Sequence, residues 1–403
     1  MSFLLKANSQ SFSSEIDLPI SKSIANRMLM LKALCKTEVD SIEEAPNDVH
    51  IFHKALITGK DEIDIQDAGT AMRFATAFYS LEKGSKKIFG TQRMHQRPIH
   101  PLVDALIEWG ADIQYLEEEG YPPLEIRGQE LHGGIIKIDA GISSQFISAL
   151  LMIAPLCKST CTIVLEGVQA SRPYIDMTIK MMQLFGVEVD QYKNEFKIFP
   201  AKYKDFNLKI EKDWSAASFY YLLCALSKEC VFHFPGLVSD SIQGDKSLKD
   251  IFRPLGVSTM EEKGVLYIKK MADREGHIDV IDFSNHPDLF LPVITAYAGL
   301  GKDIQFEGLY NLHLKESNRL EAMIYNLKQI NAILSISGNT GSLITSVLPE
   351  RASFRSFDDH RIAMSMAMMS VVLKEVELDQ IDVVAKSFPN FWKEMKALEF
   401  DIE

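Results

Sequence analysis

Six times along this 403-residue chain a short polar cluster runs directly into an apolar stretch. The clusters are Ser21-Lys22-Ser23, Asp67-Ala68-Gly69-Thr70, Ser143-Ser144-Gln145, Asp213-Trp214-Ser215, His286-Pro287-Asp288 and Asp358-Asp359-His360-Arg361. After the first gap they recur roughly every 70 to 75 residues, longer than an ordinary solenoid period. Ser, Asp, Thr and Gly suit a helix start, where short polar side chains accept the orphan backbone N–H groups. Lys22, Arg27, Arg73 and Arg361 lie in or beside the first turn or two, where the helix dipole disfavours a cation. A bound anion would offset that cost, so the pattern predicts an anion site assembled from several helix starts. One such cluster is an ordinary cap; six in register, several with a misplaced cation, favour a site.

The stretches that follow read IANRMLMLKAL, AMRFATAFYS, FISALLMIAPL, AASFYYLLCAL, LFLPVITAYA and IAMSMAMMSVVL. A helix apolar nearly all round is one buried inside a domain. Between these helices lie strand-like runs at Ile135–Ile138, Cys161–Leu165, Val187–Val189 and Val265–Ile268. Amphipathic helices are expected over Pro101–Trp109 and Ile175–Phe185, each ending before a glycine. The alternation predicts an α/β protein built from repeated units. The charged segment Lys202–Asp213, near the chain's midpoint, is the expected boundary, with three polar-cluster helices on each side.

Size allows two or three domains with sizeable cores. The net charge of −12 argues against general binding to nucleic acid or an anionic membrane, which needs a basic face. The apolar run Ile362–Leu373 is too short to span a bilayer, and the start MSFLLKANSQSFSSEIDL lacks a signal-peptide core, so a cytoplasmic protein is expected. Cys157 and Cys161 have a metal-like separation without a matching Cys/His pair elsewhere, so the five cysteines read as mostly buried free thiols.

Leu18-Pro-Ile-Ser-Lys-Ser-Ile-Ala-Asn-Arg27 is the most specific single string: Ser21 and Ser23 can cap or bind oxyanions, Lys22 is a point charge, and Arg27 can fork onto a carboxylate or phosphate. Asn311-Leu-His-Leu-Lys-Glu-Ser-Asn-Arg319 sets Lys315, Glu316 and Arg319 within one turn, a run that by itself is usually a solvated face. Gly69 permits close backbone approach, and Arg93 and Arg97 fall in GTQRMHQRP, read as a loop.

Together, SKSIANR, DAGTAMR, MHQRPIHPLVDAL, SSQFISALLMIAPL, SRPYIDMTIKMMQLFGV, HPDLFLPV, LHLKESNRL, FDDHRIAM and AKSFPNFW resemble, in order, the 5-enolpyruvylshikimate-3-phosphate synthase family. The resemblance implies two similar globular domains, each of three repeated α/β units with buried helices, and an active site in the interdomain cleft. On that basis residues 1–20 and 212–403 form one discontinuous domain and 21–211 the other. It also implies a monomer that uses no cofactor and no metal, and that binds phosphoenolpyruvate and shikimate 3-phosphate but neither nucleic acid nor membrane. The expected reaction transfers the enolpyruvyl group to the 5-hydroxyl of shikimate 3-phosphate and releases phosphate, within the shikimate pathway of aromatic amino acid biosynthesis.

By the same resemblance, shikimate 3-phosphate is held by Ser23, Arg27, Ser143, Ser144, Gln145, Ser171, Tyr174, Asp288, Asn311 and Lys315. Phosphoenolpyruvate meets Lys22, Gly69, Arg97, Gln145, Arg319, Arg361 and Lys386. Asp288, Lys315, Glu316 and Lys22 are the catalytic candidates, with the division of proton transfers among them open. Two phosphates and two carboxylates require several cations, and C2 becomes cation-like during addition and elimination, where a carboxylate stabilises it. Asp67, Phe74, Lys212 and Trp214 depart from the usual family pattern without removing a catalytic group. The Gly69 match implies sensitivity to glyphosate, which inhibits many members at the phosphoenolpyruvate site. The nearest alternative acceptor, UDP-N-acetylglucosamine, belongs to a related family with a loop Cys before its Arg-Pro pair; GTQRMHQRP has none. A binding module that kept the fold but lost catalysis is the other alternative.

Overall fold

The computed structural model describes residues 2–271 and 278–403. The chain divides into two units, one formed by residues up to Ser21 with Glu211–Glu403, the other by Lys22–Ile210. All six polar clusters open into helices: Lys22–Leu34, Gly69–Tyr79, Ser144–Ile153, Trp214–Leu226, Phe290–Gly299 and His360–Ala367. Side-chain caps fix three of these starts: Ser143 Oγ accepts from Gln145 N at 3.2 Å, Asp213 Oδ1 from Ala216 N at 3.1 Å, and Asp359 Oδ1 from Arg361 N at 3.0 Å. The cap position before Gly69 falls on Ala68, and the Phe290 helix is led in by a 3-10 turn at Pro287–Leu289.

Burial follows the apolar pattern. Every residue of the Phe290 and His360 helices is buried. In three others only one residue escapes: Thr70, Gln145 and Ser215, each polar and each in the first turn. The helix starts are thus where these core elements reach their surroundings.

Among the described residues, five four-stranded sheets share one order, a parallel pair followed by two antiparallel neighbours. In the Lys22–Ile210 unit, Glu62–Asp64 runs parallel to Gly84–Phe89, which pairs antiparallel with Leu124–Gly128 and so to Asp112–Tyr115. The second sheet repeats this with Gly134–Asp139, Cys161–Glu166, Glu195–Ile198 and Asp190–Tyr192. The other unit holds three such sheets, one of which pairs the N-terminal strand Ser2–Ala7 with Glu375–Asp379 and the C-terminal Phe400–Ile402. That unit's core is rich in aromatic contacts, Phe283, Phe290 and Phe306 meeting edge to face with ring centroids 5.3 to 6.3 Å apart. Each fully buried Phe is worth about 1.5–3 kcal/mol.

Two local expectations fail. Val187–Val189 is not a strand; Val187 N closes the preceding helix by donating to Met182 O at 3.0 Å, and the ladder begins at Asp190. GTQRMHQRP is not all loop, because Thr91 caps a short helix at Gln92–His95. No helix among the described residues is long and apolar enough to cross a membrane. All five cysteines are free, and four are buried.

Candidate active site

In the Lys22–Ile210 unit, the helix starts carry buried cations. Arg27 is 2% exposed, and its Nε donates to Thr178 Oγ1 at 2.7 Å. Its Nη2 donates to Ser148 Oγ at 3.0 Å and to the Tyr174 carbonyl at 3.2 Å, its Nη1 to the Ser23 carbonyl at 2.9 Å. All these partners are neutral, and among the described residues no carboxylate pairs with Arg27. Burial pushes its pKa down to about 10, still high enough to keep the charge at neutral pH. The guanidinium also lies 5.6 Å from the ring centroid of Phe74.

Arg97 is a second buried cation, and its side chain makes no hydrogen bond or ion pair among the described residues. It rests against Gly69, the first residue of its helix: a Cβ there would stand 2.6 Å from Nη2 and 2.7 Å from Cζ. Glycine at that position is what lets the guanidinium approach. Arg73 links the two segments, its Nη1 donating to the Gly69 carbonyl at 3.2 Å and its Nη2 to the Pro98 carbonyl at 2.9 Å. Nearby, Gln145 Nε2 donates to Thr70 Oγ1 at 3.0 Å, joining two helix starts. Lys22 Nζ pairs with Asp48 Oδ2 at 3.0 Å. Ser144 is buried, and Ser171 holds the left-handed backbone conformation (φ 60°) at the start of Arg172–Leu184. A non-glycine residue there costs about 1–3 kcal/mol, the kind of strain that collects at binding sites.

The second unit gathers both signs of charge. Asp288 Oδ1 accepts from Arg319 Nη1 at 2.9 Å, with Lys315 Nζ at 3.6 Å, while Oδ2 accepts from Arg361 Nη2 at 3.0 Å. Arg319, 1% exposed, also reaches Glu316 Oε2 at 3.0 Å and Asp359 Oδ2 at 2.8 Å. Ser317 Oγ donates to Asp359 Oδ2 at 3.2 Å. Burial works against the Asp288 charge, but Arg361, Lys315 and Arg319 outweigh it and hold the carboxyl well below its ordinary range. Burial lowers the Lys315 pKa, with Asp288 opposing that shift. Asp245 shares a hydrogen bond with the Ser215 hydroxyl; burial and then the charge of Asp288 push its carboxyl up to about 7. Phe357 and Asp358, both at positive φ (54° and 56°), make the strained turn that delivers Asp359 to its cap.

A family model for EPSP synthase (3-phosphoshikimate 1-carboxyvinyltransferase) matches residues 42–395. The chain belongs to the EPSP synthase family. It is 38% identical to a 3-phosphoshikimate 1-carboxyvinyltransferase of Bacteroides fragilis over 411 aligned positions, covering 100% of this chain and 99% of the relative. The enzyme of that name from Aliivibrio fischeri is 34% identical, with 95% and 96% covered. The solved structure of EPSP synthase from Acinetobacter baumannii has a TM-score of 0.75 at 19% identity, covering 100% of this chain and 99% of that one, which supports the fold.

Within this EPSP synthase family chain, Arg27 and Tyr174 of the expected set meet directly, as do Asp288, Lys315, Glu316, Arg319 and Arg361. Asn311 is buried beside the 3-10 turn Leu312–Leu314, without a side-chain hydrogen bond among the described residues, and Lys386 is buried at the end of Ile381–Lys386. Lys315 and Glu316 do not share a helical turn with Arg319: Asn318 caps the helix Arg319–Lys328, and the two precede it. Sequence reasoning missed Asp48, Asp245, Asp359, Ser148 and Thr178 as site-supporting residues. Ser148, a hydroxyl inside FISALLMIAPL, and Asp359, at the cap of a buried helix, carried a readable signal; Asp48 and Asp245 carried none.

Proposed function

We propose that this chain transfers the enolpyruvyl group of phosphoenolpyruvate to the 5-hydroxyl of shikimate 3-phosphate and releases phosphate, as a 3-phosphoshikimate 1-carboxyvinyltransferase of the shikimate pathway. Family membership supports the reaction, and one observation carries the site: Arg97, a buried guanidinium with no protein partner among the described residues, lies against Gly69 at a helix start. A cation left uncompensated inside a protein is costly unless a ligand anion meets it. We assign phosphoenolpyruvate to Lys22, Gly69, Arg97 and Gln145 of one unit and Arg319, Arg361 and Lys386 of the other. Shikimate 3-phosphate takes Ser23, Arg27, Ser143, Ser144, Gln145, Ser171 and Tyr174 of the first unit and Asp288, Asn311 and Lys315 of the second. The setting we propose is a cytoplasmic monomer.

The chemistry follows from the charges. The 5-hydroxyl oxygen bonds to C2 of phosphoenolpyruvate, C3 takes a proton, and the hydroxyl proton passes to a base. Asp288, held ionised by Arg361, Lys315 and Arg319, stabilises the cation-like C2. Lys315 gives up its proton more easily than an exposed lysine and suits the exchange with the hydroxyl. Breaking the C2–O bond to phosphate and removing the methyl proton then yields the product, with Glu316 beside Arg319 as the second carboxylate. Phosphate release from phosphoenolpyruvate tests this reading. It is expected with shikimate 3-phosphate as acceptor; release only with UDP-N-acetylglucosamine, or with neither, overturns it.

A further inference from the structure

We infer that Thr178 and Ser148 are positioning residues that orient Arg27 toward the carboxylate of shikimate 3-phosphate. A guanidinium carries five N–H donors. The one on Nε goes to Thr178, the two on Nη2 go to Ser148 and the Tyr174 carbonyl, and one on Nη1 goes to the Ser23 carbonyl. One N–H on Nη1 remains. The two-pronged fork expected from the sequence is therefore not on offer in this arrangement; Arg27 meets its ligand with one charged hydrogen bond of fixed direction.

That direction is set by two hydroxyls buried completely and bonded to each other, Thr178 Oγ1 to Ser148 Oγ at 2.8 Å. They come from different helices, Ser148 from Ser144–Ile153 and Thr178 from Arg172–Leu184, while Arg27 comes from Lys22–Leu34. The guanidinium plane is fixed by three packed helices and by the stiff β-branched side chain of Thr178. The choice of hydroxyls matters. A carboxylate in either place would orient Arg27 equally well but would neutralise it, whereas neutral acceptors hold the plane and leave the charge for the ligand. Phe74 closes the stack from the ring side.

This inference rests on the proposed binding of shikimate 3-phosphate by Arg27, which we place at the ligand's carboxylate, and the experiment separates the two. Steady-state kinetics of Thr178→Val, Thr178→Ser, Ser148→Ala and Arg27→Ala are measured with each substrate varied. Thr178→Val should raise the shikimate 3-phosphate KM by roughly tenfold, as expected for a lost hydrogen bond to a charged group, with a smaller change in kcat and in the phosphoenolpyruvate KM. Thr178→Ser should restore it. On an Arg27→Ala background Thr178→Val should add less than about twofold, because the side chain it orients is gone. If Thr178→Val folds poorly, Ser148→Ala carries the same test. A uniform fall in kcat with KM intact, or full additivity with Arg27→Ala, overturns the inference. In parallel, exchange of the Arg27 Nε proton, followed by NMR, should be slow in the parent and fast in Thr178→Val. If that holds while Arg27→Ala leaves the shikimate 3-phosphate KM unchanged, the orienting role stands and the carboxylate assignment falls.

Discussion

A methyl group placed on Gly69 should disable Arg97 rather than the helix it begins. The added Cβ would stand 2.6 Å from Nη2 and 2.7 Å from Cζ of Arg97, against the 3.4–4 Å of ordinary contact. The guanidinium must retreat by about 1 Å, and it can, because its side chain has no other hydrogen bond among the described residues to hold it. Moving a charge pair from about 3 to about 4 Å at an effective dielectric near 20 loses about 1.4 kcal/mol, roughly tenfold in affinity. Gly69→Ala should therefore raise the phosphoenolpyruvate KM by about tenfold and leave the shikimate 3-phosphate KM nearly unchanged. Glyphosate, a longer anion with the same two kinds of charged end, should lose that interaction and also meet the methyl, so its inhibition constant should rise further than the KM. The decisive assay is a double-mutant cycle with Arg97→Ala. If the methyl acts through Arg97, Gly69→Ala adds little to the phosphoenolpyruvate KM once Arg97 is gone. An unchanged KM in Gly69→Ala, or full additivity with Arg97→Ala, refutes the reasoning.

Glu316→Gln keeps the shape of the group 3.0 Å from Arg319 but removes its charge, so kcat should fall by about 10²-fold; near-normal turnover in a stopped assay would remove Glu316 from the chemistry. Asp359→Asn takes one carboxylate from the buried Arg319, and denaturant unfolding should show a loss of about 3 kcal/mol, the low end for a broken buried pair, because Glu316 and Asp288 still face the cation. The Asp245 carboxyl, raised to about 7 in the folded chain, binds its proton more tightly than in the unfolded chain, so its contribution to stability is fully present below pH 4 and fades as pH rises through 7. Asp245→Asn should accordingly raise Tm more at pH 8 than at pH 5; an equal gain at both would show that this carboxyl is not the titrating group.

What could be read from the sequence was local. Ser143, Asp213 and Asp359 announce helix starts because a cap needs only its own first turn, and the helices behind them are buried because their residues are apolar all round. Val187–Val189 alternates like a strand, yet Val187 N bonds back to the helix it follows, and alternation alone cannot tell a ladder from a helix exit. Thr91 shows the converse: a cap signal lay three residues before Met94, and the flanking glycine and proline hid it.

The site was legible as a set of cations and not as a circuit. Lys22, Arg27 and Arg361 look alike as basic residues near helix starts, but the fold gives them different surroundings. Lys22 pairs with Asp48 and Arg361 with Asp288, whereas Arg27 is held entirely by hydroxyls and carbonyls. Within the second unit the cations do not stand alone, because Asp288, Glu316 and Asp359 stand against Lys315, Arg319 and Arg361. The partnerships that set these cations apart are not local: Ser148 lies 121 residues from Arg27, and Asp288 lies 73 from Arg361. A spacing rule finds residues that share a turn; which of two arginines keeps its charge available for a ligand is decided by what the other helices bring against it. That places the functional distinction among these basic residues in the packing of the helices, where substitutions at apparently ordinary core hydroxyls such as Thr178 should be felt by substrate.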